Sequence, residues 1–413
     1  MSEVSIERNL GLGGAPVAEQ RRNVWAAILG YLADGLDQLV ISYTLPAIVA
    51  TFALSSVQAG SIATATMIGT WLGAYIFGFL ADYFGRVKTF TYSILVYALA
   101  TGISALSPNF GFLEVLRFFV GIGIGGEFGI GMALVTETWP SRLRARAGSY
   151  VAVGFNLGTL LASVVTLLVM PHFGWRGVMV VGVLPAIIAV WARLRVKEPV
   201  LFEKKRVSGD RTFPLVYLFN TSKRAKATIG LWFMTAVQNF GYYGIMIWMP
   251  TELQKYHHYS LGNTTLWELL TTAGMIAGIL IFGRLCDRIG RKPSYITLFI
   301  LTAIIIPVYF SISNPTVVLF GGIILGAFVN GGMGGYGAIL SEHYPTAARS
   351  TAENFIFGTG RGIGGGLGPL LIGILATKMS LFTALGLLFI VYPFAAILTW
   401  ILVPEMKGEA LPE

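Results

Sequence analysis

Two aspartates three residues apart, Asp34 and Asp37, stand near the middle of an apolar stretch that runs from Val24 to Ala50. On a helix, that spacing puts both carboxylates on nearly one face. A charge in the hydrocarbon of a bilayer costs about 2.5–3.5 kcal/mol even on lenient scales, so such residues face a protein interior or a water-filled cavity. Asp34 lies roughly 15 Å from the start of the stretch at 1.5 Å per residue, too deep for so short a side chain to reach water. Burial and a nearby arginine act in opposite directions on a carboxyl's hold on its proton. A group balanced between the two can load and release a proton near neutral pH, and spacing alone does not choose between Asp34 and Asp37.

The other deep charges are cations and one glutamate. Arginine stays protonated, so Arg117 and Arg361 must each find a carboxylate from the protein or from a ligand. Arg361 sits about ten residues into an apolar stretch, within Gly358-Thr359-Gly360-Arg361-Gly362, where small neighbours let it project. It is the candidate grip for a ligand carboxylate; the plainer alternative is a structural pair with Glu353 or Glu127. Glu127, among glycines, reads equally as a proton relay or a structural partner. Gln238, Asn239, Tyr242 and Tyr243, with Asn330, offer hydrogen bonds and aromatic faces suited to an unsaturated acid, although aromatic residues at membrane depth often serve as packing or interface anchors.

These residues need a membrane scaffold, and the composition supplies one. The chain has 413 residues, 55% hydrophobic and only 12% charged, where a soluble domain carries about a quarter charged. Apolar windows of about 20 residues predict twelve spans: 24–50, 58–81, 89–107, 112–138, 148–170, 176–194, 227–251, 263–285, 294–313, 316–340, 351–376 and 380–403. Lys and Arg concentrate in alternate loops, at Arg86 and Lys88, Arg142 to Arg146, the segment 195–226, Arg288 to Lys292 and Arg349. By the positive-inside rule that side is cytoplasmic and both termini lie inside. The net charge of +9 is thereby a topology signal, and no nucleic-acid partner is expected. The polar first 20 residues lack the apolar core of a cleavable leader, so the first span is expected to act as the insertion signal.

The single cysteine, Cys286, and four scattered histidines (His172, His257, His258, His343) make no metal set. No nucleophile constellation points to an enzyme. Gly123-Ile124-Gly125-Gly126 follows no strand and lacks the Lys-Ser/Thr of a phosphate loop, so no nucleotide-driven chemistry is expected. The expected divisions are a cytoplasmic tail 1–23, a bundle 24–194, a linker 195–226, a second bundle 227–403 and a tail 404–413.

The two bundles match each other at an offset of 205 residues. Gly73, Gly78, Asp82, Gly85 and Arg86 map onto Gly278, Gly283, Asp287, Gly290 and Arg291. Gly121, Gly126 and Gly129 map onto Gly326, Gly331 and Gly334; Glu137, Pro140 and Arg144 map onto Glu342, Pro345 and Arg349. Asp, Glu, Pro and Arg in register indicate an internal duplication. The predicted fold is an all-α membrane protein, with twelve transmembrane helices in two pseudo-symmetric six-helix bundles and a ligand site at their interface near mid-membrane. Asp34 and Asp37 map onto Asn239 and Tyr242, and Arg361 onto Asn156, so the site is charge-asymmetric.

The segment Gly78-Phe79-Leu80-Ala81-Asp82-Tyr83-Phe84-Gly85-Arg86-Val87-Lys88 and its copy from Gly283 to Lys292 resemble the loop signature of the major facilitator superfamily. Arg117, Gly121, Gly123, Gly125, Gly126 and Glu127, then Glu137, Pro140 and Arg142, are similar to its fourth-span signature. Asp34-Gly35-Leu36-Asp37 resembles the acidic motif of the aromatic acid:proton symporters, carriers of benzoate-type acids and of cis,cis-muconate. The resemblance implies a monomeric, proton-coupled importer of a small organic-acid anion in a bacterial cytoplasmic membrane, with no cofactor beyond the coupling proton. Proton coupling would involve Asp34, Asp37, Arg117 and Glu127, with Arg117 paired to a span-one aspartate. Substrate contact would fall to Arg361, Gln238, Asn239, Tyr242 and Asn330. Asp82, Gly85 and Arg86, Asp287, Gly290 and Arg291 would form gates, as would Glu137 and Glu342 through Arg142, Arg144 and Arg349. The runner-up is a sugar or other neutral-metabolite porter using the same Asp-Arg switch.

Overall fold

The computed structural model describes residues 16–193, 196–199, 202–203, 213–255, 259–409 and 411–412. Residues 1–15 of the expected tail, residues 204–210 of the linker, and His257 and His258 lie outside the described residues. Twelve helical segments carry the described fold: α1 (Val17–Phe52), α2 (Ser56–Phe84), α3 (Arg86–Ser104), α4 (Phe110–Thr136), α5 (144–173), α6 (175–193), α7 (Ser222–Lys255), α8 (Leu261–Ile289), α9 (Arg291–Tyr309), α10 (Pro315–Ser341), α11 (Arg349–Leu375) and α12 (Leu381–Leu402). Helix α1 starts at Val17, so residues 17–23 of the expected tail are helical. Helices α5 and α6 run on in hydrogen bonding, but Gly174, at φ 63 and ψ −171, turns the chain between them.

Local chemistry sets many of the ends. Ser55 and Gln58 form a reciprocal capping box at the start of α2, and Asn109, Ser260, Asn314 and Ser380 cap α4, α8, α10 and α12 with their side chains. Gly85 and Gly290 each end one helix and begin the next in a single residue, at φ 115 and φ 114. Only glycine adopts that backbone without strain.

Among the described residues, eight helical stretches are long and apolar enough by themselves to cross a membrane. Helices α7 and α11 are not among them, because they carry much of the polar surface of the interior. Leu99, Leu106, Leu167, Leu168, Ile281 and Trp400 stand exposed on the outside, as lipid rather than water would favour.

Packing repeats between the halves. Helices α2 and α4 approach through glycine: a Cβ at Gly73 would stand 2.0 Å from the Ile122 carbonyl oxygen, and one at Gly121 would stand 2.1 Å from that of Thr66. In the second half Gly274 and Gly326 make the same approach between α8 and α10, at 2.0 Å from Ile323 O and 2.3 Å from Thr271 O. Helix α1 meets α5 through Gly158, and α7 meets α11 through Gly364. Without a hydrophobic drive between helices in lipid, such close backbone contact is a main source of association. The halves then join along two equivalent seams, α2 with α11 and α8 with α5.

Gly121→Ala is expected to lower thermal stability by about 1–3 kcal/mol, the usual cost of overpacking. Gly366→Ala, at a position with nothing within 4 Å, should be neutral. Equal melting temperatures for the two variants in detergent would contradict this packing.

Candidate functional site

A pocket lies between the halves, lined from α1, α5, α7, α10 and α11. Half one contributes Tyr31, Ala152, Phe155 and Asn156; half two contributes Asn239, Tyr242, Tyr243, Asn330, Met333, Phe357 and Arg361. The wall is thus five aromatic rings, three amides and one guanidinium. Arg361 is buried; its Nε donates to the Tyr243 hydroxyl at 3.0 Å and its guanidinium lies 5.6 Å from the Phe155 ring centre. Its Nη2 has no hydrogen-bond partner, and neither Glu353 nor Glu127 pairs with it. Phe357 stacks on Phe128 with ring centres 3.8 Å apart and 20° between planes, joining the halves beside the cavity.

The two aspartates of α1 have different partners. Asp37 is bound by Arg117 at 2.9 Å and accepts the Thr101 hydroxyl at 2.6 Å, so α1, α3 and α4 meet on it. Asp34, equally buried, accepts one hydrogen bond, from Gln38 at 3.2 Å. It sits within electrostatic reach of Arg361 without forming an ion pair. Tyr31, one turn earlier on α1, interacts with both and lines the cavity.

Two expected site residues lie elsewhere. Gln238 does not line the cavity; its amide donates to the Asn330 side chain at 3.3 Å and so steadies a residue that does. Glu127 also lies off the cavity, accepting the Ser93 hydroxyl at 2.9 Å inside half one, because the step in α4 at Gly126 turns it toward α3.

At the arginine-rich end, two latches close the seams. In the first, Asp82 accepts the backbone N–H groups of Ser350 and Thr351 (3.2 and 2.7 Å) at the start of α11, while Arg86 binds Asp82 at 3.1 Å and Glu137 at 2.9 Å. Arg349 crosses from half two to Glu137 at 2.7 Å. In the second, Asp287 accepts from Ala145 and Arg146 (3.1 and 2.8 Å) at the start of α5, and Arg291 binds Glu342 at 2.8 Å. Arg144 reaches Glu342 from half one at 3.5 Å. An acid at a helix N-terminus meets orphan N–H groups and the positive end of the dipole. Glu137 and Glu342 were expected to pair with Arg142 among others; the structure uses Arg86 and Arg291 instead, because the tight turns at Gly85 and Gly290 bring those guanidiniums underneath.

The family profile of the Major Facilitator Superfamily matches residues 27–273 and 231–413. The chain belongs to that superfamily. It is 45% identical over 399 residues to a Haemophilus influenzae protein provisionally named for metabolite transport, covering 94% of this chain and 98% of that one. It is 30% identical over 364 residues to the cis,cis-muconate transport protein of Acinetobacter baylyi, covering 86% and 87%. The structure superposes on the proton:xylose symporter XylE bound to 6-bromo-6-deoxy-D-glucose with a TM-score of 0.82 at 18% identity, over 95% of this chain and 98% of that one. The protein is a superfamily transporter, not an enzyme.

Within this superfamily fold, two capping carboxylates at the latches escaped the sequence reading. Glu198 accepts the N–H groups of Arg86, Val87 and Lys88 (2.8, 3.0 and 3.3 Å), and Glu405 accepts those of Arg291 and Lys292 (3.1 and 2.8 Å). Each caps the helix that follows a latch turn. Burial pushes the Glu198 carboxyl above its ordinary value, against the pull of those donors. Their separation is 207 residues rather than 205, and that shift hides the match. The Glu-Pro and Pro-Glu pairs after the sixth and twelfth spans were the available signal.

Asp37→Asn leaves Arg117 buried without a counter-charge and is expected to cost about 3–5 kcal/mol. Asp34→Asn should cost far less. Thermal unfolding of the purified variants measures both, and equal losses would contradict the division of roles.

Proposed function

We propose that this transporter is a proton-coupled symporter that imports a small organic acid, an aromatic acid or an unsaturated dicarboxylate such as cis,cis-muconate, by alternating access. The observation that carries the reading is Arg361: a buried guanidinium in the cavity wall with a free Nη2 and no protein carboxylate. A substrate carboxylate supplies what the protein withholds, through charge-assisted bonds. The five surrounding rings suit a planar, unsaturated body, and Asn156, Asn239 and Asn330 give it polar edges. The name of the muconate relative supports the same substrate class.

Charge balance supplies the coupling. In the empty cavity Asp34 and Arg361 offset one another. When a substrate carboxylate takes Arg361, a neutral site requires that Asp34 carry a proton. Loaded with a monoanion and that proton, or empty with Asp34 ionised, the cavity holds no net charge and the halves can rock. A dicarboxylate dianion needs one further proton for the same balance, and a half-loaded cavity holds a buried charge and stalls. Asp37 and Arg117 hold α1, α3 and α4 together during the cycle. The latch end is assigned to the cytoplasm from its excess of Lys and Arg, in a bacterial inner membrane with both termini inside and the protein acting as a monomer. A porter for sugars or other neutral metabolites is the second reading, favoured by the fold it shares with the xylose symporter.

Uptake of labelled cis,cis-muconate, 4-hydroxybenzoate and small aliphatic acids by expressing cells, with and without an uncoupler, tests the reading. Accumulation should collapse with the uncoupler. Arg361→Ala should weaken uptake roughly 10–100-fold, the equivalent of about 1.5–3 kcal/mol for a hydrogen bond to a charged group. Intact acid uptake in that variant would favour the neutral-substrate reading. Asp34→Asn should abolish accumulation while sparing exchange of labelled for unlabelled acid across the membrane; unchanged accumulation would refute the coupling role.

A further inference from the structure

We propose that Glu353 is a second proton-carrying group, neutral while the first latch is closed and ionised when it opens. The inference rests on the proton-coupled reading above and adds to its cycle a proton exchanged on the latch side. Glu353 lies on α11 one turn after Arg349, with no exposed surface and no hydrogen-bond partner on either carboxyl oxygen. The charged groups facing it are Arg349 from its own helix, Asp82 from α2, Arg86 from α3 and Glu137 from α4.

Those four groups already pair with one another. Arg86 binds Asp82 and Glu137, Arg349 binds Glu137 and the Thr346 hydroxyl, and Asp82 holds the N-terminus of α11. Two guanidiniums face two carboxylates, and an ionised Glu353, whose carboxyl oxygens accept no hydrogen bond, would add a third negative charge to a buried seam. Such a charge is among the most expensive things a protein interior can hold. The neutral acid is the form this closed seam accommodates.

The second latch sharpens the point. Its two arginines, Arg144 and Arg291, face Asp287 and Glu342, and the position equivalent to Glu353 is Gly148, 205 residues earlier. That seam closes with a glycine where Glu353 stands, so latching itself does not require a carboxyl at this position. Glu353 is an addition to one side only, at the place where separation of the halves would admit water and release Arg349 from Glu137. On opening, the Glu353 O–H bond gives its proton to water on the latch side; on closing, the carboxylate takes one back. Because that proton is released to and retaken from the same side, it moves no net charge across the membrane; it ties opening of the latch to the pH on the latch side.

The test needs no substrate. Spin labels are placed at the exposed, pseudo-equivalent positions Tyr83 and Arg288 in a Cys286→Ser background, and the distance between them is followed against pH in lipid. In the otherwise wild-type protein the open fraction should rise with pH. Glu353→Gln should stay closed and lose that response, and Asp34→Asn should keep a pH-dependent component. Opening of Glu353→Gln at the wild-type midpoint would overturn the proposal. A flat response in Asp34→Asn would overturn it too, and that arm decides should Glu353→Gln fail to fold. The uncoupler experiment separates the two claims: uncoupler-insensitive uptake with an intact Glu353-dependent response strikes the symport reading and leaves the latch proton standing.

Discussion

A guanidinium cannot lose its charge inside a protein, so each one buried must be answered by an anion. Six arginines are buried among the described residues: Arg86, Arg117, Arg144, Arg291, Arg349 and Arg361. Five have a carboxylate within 3.5 Å, and Arg361 does not. The five fix the architecture. Arg117 ties three helices of the first half, and the other four sit where the halves meet. The exception lies in the cavity, where an anion from outside can complete it.

The latches depend on the same constraint, and it explains how they can be both tight and breakable. A buried ion pair is weak evidence for net stability, because desolvation offsets much of the attraction. What the network provides is a defined closed arrangement: acids on the N-termini of α5 and α11, arginines beneath them, and Glu137 and Glu342 shared between halves. When the seam opens, water replaces these partners, and the exchange is far closer to neutral than breaking the same pairs in a dry interior.

Much of this was legible in the sequence because duplication wrote it twice. Asp82, Gly85, Arg86, Glu137 and Arg144 could be read against their copies, and the copies have the same geometry, down to positive φ at Gly85 and Gly290. Arg361 stood out because a cation at membrane depth has few explanations. What the sequence hid depends on where helices from different halves meet. Tyr31, Phe155 and Phe357 look like packing residues in any apolar span until a cavity opens beside them. Gln238 shares a helix and a polarity with Asn239, and only the rotation of α7 decides which of them faces the cavity. Asp34 and Asp37 share a helix face; Asp34 meets Gln38 one turn along its own helix, and what separates the two is that folding brings Arg117 and Thr101 to Asp37 alone.

The central claim is that the cavity of this superfamily member is completed by an anion. The direct measurement is thermal stabilisation of the purified wild-type protein by carboxylates, each compared with its amide: cis,cis-muconate with its diamide, 4-hydroxybenzoate with 4-hydroxybenzamide. The account predicts that at least one acid raises the melting temperature while its amide, similar in shape but uncharged, does not. Equal stabilisation by acid and amide, or stabilisation by neutral sugars alone, would contradict it.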